Sequence, residues 1–589
     1  MLDALLYEQH KNEIHPSSKW GQMISASGVQ RSHEFDRISK LPRRDWEKWP
    51  ELTDFTARLD EWLRCESSAR THKLLPQQAI ALKELAETKG GFVGIPPGEG
   101  KAFISLLGPS VLPVKRPLLL VPADVYDQTV NDVLPIVKAN WRVHPGLTIR
   151  KYSELSLAKN EHMLDELAPD FIAADEGHAL KNYRQGRGKR VKRYMDENPL
   201  TIFMPLTATP NNRSLMEWAL LCRWALKPDM APVPGDWREL RMWADALDHI
   251  LKDESQRKPP GVIATWCVGE ETPAAAYGRR VRETPGMVMM AGAEVGASVW
   301  YGTRAPAVPK EIDRALQHVR DTWTTPTGEE LLEAATVAGV KKALSLGFFY
   351  RLDPAPPAEW RNARSAWAKY VRKRISASRS KVDTELQVLN EARAAVRAGE
   401  KIPEVVAWDA VRDLYDPDDH KQVIWLSDFA VDDASAWLAE SEEPGLVWTD
   451  LVAFGERLQL KHGVRYFGAG SSDDLRVAKA QNCVLSLDSH HKGKNLQDRW
   501  ARNLLATPSG SGAEWEQFTG RTHRRGQVAE RVTVEAYAHV EELRSAIRMA
   551  HASAQALQAQ WGQKYRLVYG DKSKEFLEVL HGAASSGKQ

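Results

Sequence analysis

Short apolar runs separated by helix-length stretches dominate two parts of the chain. The segments 91–95 (GFVGI), 117–122 (PLLLVP), 171–174 (FIAA) and 202–206 (IFMPL) are too short for helices and show no polar alternation. Each predicts a strand buried on both faces, and such strands alternating with helices predict a parallel sheet of βα units. The same grammar returns near the C-terminal end in 422–429 (QVIWLSDF), 445–451 (GLVWTDL), 482–488 (NCVLSLD) and 531–537 (RVTVEAY). Between the two parts the texture is helical, at 328–346 and 359–399, with Pro354, Pro356 and Pro357 breaking the two stretches apart. The expected fold class is α/β, with two parallel-sheet lobes and a mostly helical insertion between them. The expected boundaries are an N-terminal extension over 1–70, lobe 1 over 71–228, the insertion over 229–420, lobe 2 over 421–550, and a C-terminal helix and tail over 551–589.

Composition narrows the class. A chain of 589 residues has room for about three or four domains. Lys plus Arg (80) nearly balances Asp plus Glu (78), so any nucleic-acid contact must come from local basic stripes. The four cysteines are far apart and none forms a Cys-x-x-Cys pair, which excludes a zinc ribbon. The first ten residues carry no basic start of a signal peptide, and no run approaches the ~18 apolar residues of a membrane span. A soluble protein without membrane contact, residing in the cytoplasm, is the expectation. Most of the 21 tryptophans are expected to fill helix–helix contacts.

Chemistry concentrates in four places. The first is 95–102 (IPPGEGKA), between a strand and a helical run. Gly98 and Gly100 let backbone N–H groups approach phosphate oxygens, and Lys101 is placed to pair with the outer phosphates of ATP at a helix N-terminus. Pro97 and Glu99 complete that loop, and Ala102 stands where a hydroxyl residue usually ligates Mg²⁺. The second is Asp175-Glu176 at the end of the third apolar run, the edge at which ligands of parallel sheets bind. Asp175 is expected to hold Mg²⁺ and Glu176 to polarise the attacking water. The third is LTATP, which offers the hydroxyls of Thr207 and Thr209 at the end of the next strand. The fourth is QFTGRTHRRGQ, where Arg521 and Arg524, three apart, would share one face of a helix and act as arginine fingers.

Together these segments resemble the superfamily 2 helicases, and more narrowly the Swi/Snf-type DNA translocases. LLPQQ (74–78) resembles the adenine-side Q motif, with Gln78 as its glutamine, and DEGHALKN is similar to the DEAH box. SLDSHHKGKNLQ looks like motif V, and QFTGRTHRRGQ is close to that family's Q-x-x-[DG]-R-x-H-R-x-G-Q. The resemblance covers about 280 residues, roughly 74–226 and 421–550. It implies RecA-like lobes, ATP and Mg²⁺ as cofactors, coupling roles for His178, Thr207, Thr209, Gly493 and Gln517, and translocation on double-stranded DNA without sequence preference. Departures are Ala102, Arg213 where asparagine is frequent, and Lys494 in motif V.

Basic runs supply candidate DNA contacts: Lys181, Arg184, Arg187, Lys189 and Arg190 after the acidic motif, and Arg372, Lys373 and Arg374 in the insertion. In the insertion's helix Trp360 and Trp367 are expected to pack rather than to stack on bases. An unidentified protein partner would use the insertion or the N-terminal extension. A bacterial or phage-infected cell is the expected setting. Two other classes share parts of the pattern. A non-catalytic DNA clamp would keep the fold and lose turnover through Ala102. A genome-packaging ATPase would carry a nuclease's clustered acids where 421–550 carries the arginine motif.

Overall fold

The structure, a computed structural model, describes residues 28–46, 48–182, 186–208, 214–248, 258–289, 295–328, 331, 334–376, 385–490 and 494–582. The chain divides into two compact units. The first comprises residues up to Tyr183, Arg187–Glu294 and Ala552–Val568, and the second is built chiefly from Val295–His551 with Tyr569–Gln589.

The first unit is organised on a six-stranded parallel sheet. Its strands are β1 (Phe92–Gly94), β2 (Pro117–Val121), β3 (Thr148–Lys151), β4 (Phe171–Asp175), β5 (Ile202–Thr207) and β6 (Met287–Met289), in the spatial order β3-β2-β4-β5-β1-β6. Helices on the two faces bury β1 and β2 completely and most of β4 and β5, which is why those strands read as unbroken apolar runs. The described part of the N-terminal extension, 28–46 and 48–70, is integral to this unit. Leu63 joins the core of the sheet, Asp60 accepts from the Trp141 indole at 2.8 Å, and Arg37 donates to the carbonyls of Ala231 and Val233.

The second unit carries β7 (Ser298–Arg304), β8 (Phe348–Leu352), β9 (Lys421–Trp425), β10 (Gly445–Thr449), β11 (Arg465–Phe467), β12 (Cys483–Ser486), β13 (Arg502–Leu505), β14 (Arg531–Tyr537) and β15 (Asp571–Lys572). Seven of them form a parallel sheet in the order β11-β12-β10-β13-β14-β7-β15. The fold is therefore α/β with two parallel sheets, as the apolar runs predict.

Two expectations about organisation need correction. The run QVIWLSDF does not enter the second sheet, because β9 pairs antiparallel with β8 in a separate ribbon. The segment 229–420 is not one insertion: β6 closes an edge of the first sheet and β7 lies between β14 and β15 in the second. What remains as a helical body is Ala358–Ser376, Glu385–Arg397 and Pro403–Val411, packed around Trp367, Val388, Leu389, Val405 and Trp408. Its tryptophans pack as expected, with Trp367 buried and Trp360 edge-on to Trp408 at 5.7 Å. The C-terminal segment is likewise divided. Residues Ala552–Val568 belong to the first unit, while β15 extends the second sheet. Among the described residues no helix is long and apolar enough to cross a membrane.

Candidate active site

In the first unit three neighbouring strands end together. Gly94 of β1 is in register with Thr207 of β5, and Leu206 of β5 with Asp175 of β4. The glycine-lysine loop, the acidic pair and Thr207 thus leave the same edge of the sheet, its C-terminal one, from β1, β4 and β5.

The loop owes its shape to two left-handed glycines, Gly98 at φ +91° and Gly100 at φ +77°. Gly100 is the N-cap of the helix Lys101–Leu107. A Cβ at Gly100 would lie 2.1 Å from Nε2 of Gln78. Gln78 is buried against the loop: its Oε1 accepts from the Leu75 N–H at 2.9 Å, and its Nε2 lies 3.5 Å from the carbonyls of Glu99 and Gly100. Gln77 secures the Glu99 carboxylate at 2.6 Å. The Lys101 ammonium is folded into the loop, donating to the carbonyls of Ile95 at 3.0 Å and Pro96 at 3.3 Å. Ala102 has no hydroxyl to offer, and the nearby Ser105 hydroxyl donates to the Ala102 carbonyl.

Asp175 closes β4, and its Oδ1 accepts from the Glu176 N–H at 3.1 Å. Desolvation and the neighbouring Glu176 carboxylate push its carboxyl up to about 7, with Lys101 opposing them. The Tyr152 hydroxyl donates to the Asp175 carbonyl at 2.9 Å. Glu176 itself sits at φ +50°, ψ +49°, left-handed backbone that costs a residue with a Cβ roughly 1–2 kcal/mol. That turn aims Glu176 at His178, whose Nδ1 lies 3.3 Å from Glu176 Oε2 and 3.2 Å from Thr207 Oγ1. Gly177 makes the turn possible, since a Cβ there would press to 2.8 Å from the Pro205 side chain.

These residues suit a phosphate ester with a divalent ion. Among the described residues no group of three or more His, Cys, Asp or Glu side chains gathers to hold a metal alone. Mg²⁺ bound to phosphates needs only one or two carboxylates, its other positions being water and phosphate oxygen. Asp175, whose negative charge is disfavoured where it stands, fits that requirement.

The arginine motif lies in the second unit, on the helix Gly512–Thr522 that follows β13. The helix ends at Thr522, so Arg521 and Arg524 do not share a helix face as the spacing predicts. They converge through the segment before it. Buried Arg521 donates to the carbonyls of Gln517 at 3.0 Å and Lys494 at 3.3 Å, and Arg524 donates to Asn495 Oδ1 at 2.6 Å. Gln517 is buried in the same helix, and His523 closes it by donating to the Ala297 carbonyl at 2.9 Å.

The basic run after the acidic motif is used largely within the fold. Arg190 is interior and donates to the Leu157 carbonyl at 2.7 Å, which removes it as a DNA contact. Arg187 reaches the Ala179 carbonyl and lies over the Tyr152 ring, and Lys181 pairs with Glu217 at 3.5 Å. Lys189 is half-buried. In the insertion Lys373 and Arg374 are exposed, Arg374 pairing with Glu391 at 2.8 Å. Arg184, Thr209 and Gly493 lie outside the described residues, as does the side chain of Arg372. Sequence reasoning missed Tyr152, an ordinary polar residue that no motif marks, and gave no role of their own to Gln77 and Asn495, which lie inside the LLPQQ and SLDSHHKGKNLQ segments. No protein-family model matches the chain, and no curated protein matches it.

Proposed function

We propose that this chain is an ATP-driven motor on double-stranded DNA, with RecA-like lobes of the Swi/Snf helicase type. The observation that carries the reading is the shared edge of β1, β4 and β5, which brings Lys101, Asp175, Glu176 and Thr207 to one place. In this reading the loop N–H groups and Lys101 bind the phosphates of ATP, and Lys101 exchanges its carbonyl partners for phosphate oxygens. Asp175 would hold Mg²⁺, which supplies charge neutralisation on the phosphates when bound. Glu176, oriented by its left-handed turn, accepts the proton of the attacking water. His178 Nδ1 shares a hydrogen bond with the Thr207 hydroxyl at the end of the adjacent strand and lies 3.3 Å from that carboxylate. Arg521 and Arg524 match the arginine motif of that type, whose arginines stabilise charge on the transferred phosphoryl group.

For DNA the reading is supported by the exposed side of the helix Ala358–Ser376. An open groove there, with Glu404 as its one carboxylate, is lined by Asn362, Ser365, Lys369, Lys373 and Arg374. These side chains suit a phosphate backbone and lack an arrangement for reading bases.

The test is phosphate release by purified protein, with and without duplex DNA. Lys101→Ala and Glu176→Gln should each abolish release while melting like the parent. Turnover unchanged in either variant rejects the site. Duplex affinity should fall steeply with salt and be indifferent to sequence. Turnover that duplex DNA does not stimulate rejects the motor and leaves a nucleotide hydrolase.

A further inference from the structure

Gln563 stands outside every motif, yet its side-chain amide donates to the carbonyl of Gly94 at 2.6 Å, buried from solvent. Gly94 is the last residue of β1, and the phosphate loop begins at the next residue. The next two carbonyls, of Ile95 and Pro96, accept from Lys101. Three successive carbonyls at the root of the loop are therefore fixed by side chains, one by Gln563 and two by Lys101. Pro96 and Pro97 have no N–H of their own to hold this stretch.

The residues around Gln563 are anchored independently of it. The Trp561 ring lies edge-on to Trp218 at 4.9 Å, and Trp218 lies edge-on to Phe92 of β1 at 5.9 Å. Arg282 donates to the Gln560 carbonyl at 2.9 Å. Gly278 admits that same carbonyl so closely that a Cβ would come within 1.9 Å of it. The Tyr565 N–H donates to Gln558 Oε1 at 3.1 Å. Held this way, the segment presents one buried donor to the strand–loop junction.

We infer that Gln563 is a positioning residue for the phosphate loop, holding the Gly94 carbonyl while Lys101 moves from loop carbonyls to nucleotide phosphate. The inference rests on the nucleotide reading of this site. When Lys101 turns to a phosphate, the Ile95 and Pro96 carbonyls lose their donor and the Gly94 bond remains. Without Gln563 the loop would be ordered by the nucleotide itself, and that ordering would be subtracted from affinity. The effect belongs to ground and transition state alike, so it should raise KM and leave kcat nearly unchanged.

The experiment uses the full chain with Gln563→Met, which fills the space without a donor, and Gln563→Glu, which sets an acceptor against the Gly94 carbonyl. Two readouts are taken: hydrogen exchange of the 92–100 amides without ligand, and binding of a fluorescent ATP analogue alongside KM and kcat. Gln563→Met should speed exchange in 92–100 and leave the helix Lys101–Leu107 protected. It should weaken binding and raise KM by about five- to ten-fold, with kcat within about two-fold. Gln563→Glu should show larger losses of the same kind. Either readout unchanged in folded Gln563→Met overturns the inference, as does a loss that merely tracks a lowered melting temperature. If both variants unfold, the segment is a structural brace and the inference is overturned. Failure of the nucleotide reading looks different: the parent protein then binds the analogue no better than Lys101→Ala.

Discussion

His178 stands between two strands' worth of chemistry, with Nδ1 3.2 Å from Thr207 Oγ1 and 3.3 Å from Glu176 Oε2. An imidazole so placed links the residue proposed to activate water with the strand end beside it. His178→Ala should leave binding of an ATP analogue within about two-fold and cut DNA-stimulated turnover by about ten-fold or more. Steady-state phosphate release and equilibrium binding separate the two effects. Weakened binding with unchanged turnover would assign His178 to the pocket rather than to the link.

Glu176 holds left-handed backbone at φ +50°. Such strain persists only where the surrounding structure holds it, and in the proposed site it sets the direction of the carboxylate. Glu176→Gly should remove the strain and the carboxylate that crowds Asp175, raising stability by about 1 kcal/mol while abolishing phosphate release. Melting curves of Glu176→Gly beside Glu176→Gln check this, since Gln keeps the strained backbone. Equal melting temperatures for the two variants would contradict it.

The two arginines should part company under substitution. Arg521 is interior and donates to two carbonyls, a geometry that a lysine cannot copy. Arg521→Lys should therefore lower stability by about 1–3 kcal/mol as well as turnover. Arg524 has an exchangeable partner in Asn495 and is only half-buried. Arg524→Lys should reduce turnover with little change in melting. Denaturant unfolding of both, beside their phosphate release, decides the matter.

The strands that border the site were legible because burial on both faces strips a strand of polar residues, as in FIAA and IFMPL. Strands without that signature were not. Only three residues long, β6 ends at the edge of its sheet, and β7 mixes buried Val299 and Tyr301 with exposed Ser298 although it pairs on both sides. The run QVIWLSDF misled for the converse reason. An antiparallel ribbon can carry β-branched and aromatic residues with one side exposed, and Lys421, Gln422 and Val423 of β9 are exposed. Motif spacing located Lys101, Asp175 and His178. It said nothing of Gln563, whose role depends on where distant chain returns.

His490 reports on the acid stability of the second unit. It is buried after β12 with Nε2 donating to the Gly468 carbonyl at 3.1 Å. Burial and the nearby Lys494 push its pKa down from 6.5 to about 4. The unfolded chain therefore binds a proton that the folded chain refuses. Stability should be unaffected above pH 6.5 and be lost progressively as pH falls from 6.5 toward 4. At pH 5 the loss from this residue is about 2 kcal/mol. His490→Gln keeps a donor and does not titrate, so its unfolding free energy should fall less between pH 7 and pH 5. Parallel curves would show that other groups govern the acid limb.

Ala102 is the remaining departure at the proposed phosphate site. It is the second residue of the helix Lys101–Leu107, the place where a hydroxyl would face an ion bound to the phosphates. Ser105, one turn on, has its hydroxyl committed to the Ala102 carbonyl at 2.9 Å and offers no substitute. In the proposed site the ion would then rest on Asp175 and water. A carboxyl already pushed up to about 7 binds a cation only by giving up its proton, so apparent Mg²⁺ affinity should weaken as pH falls below about 7. Ala102→Thr should lower the Mg²⁺ concentration at half-maximal turnover by about five-fold or more, one good oxygen ligand being worth roughly 1 kcal/mol or more. It should leave turnover at saturating Mg²⁺ within about two-fold. The measurement is a Mg²⁺ titration of DNA-stimulated phosphate release for both proteins at pH 6.5 and 8. Superimposed curves would remove residue 102 from the ion's surroundings and, with it, the placement of ATP along this loop.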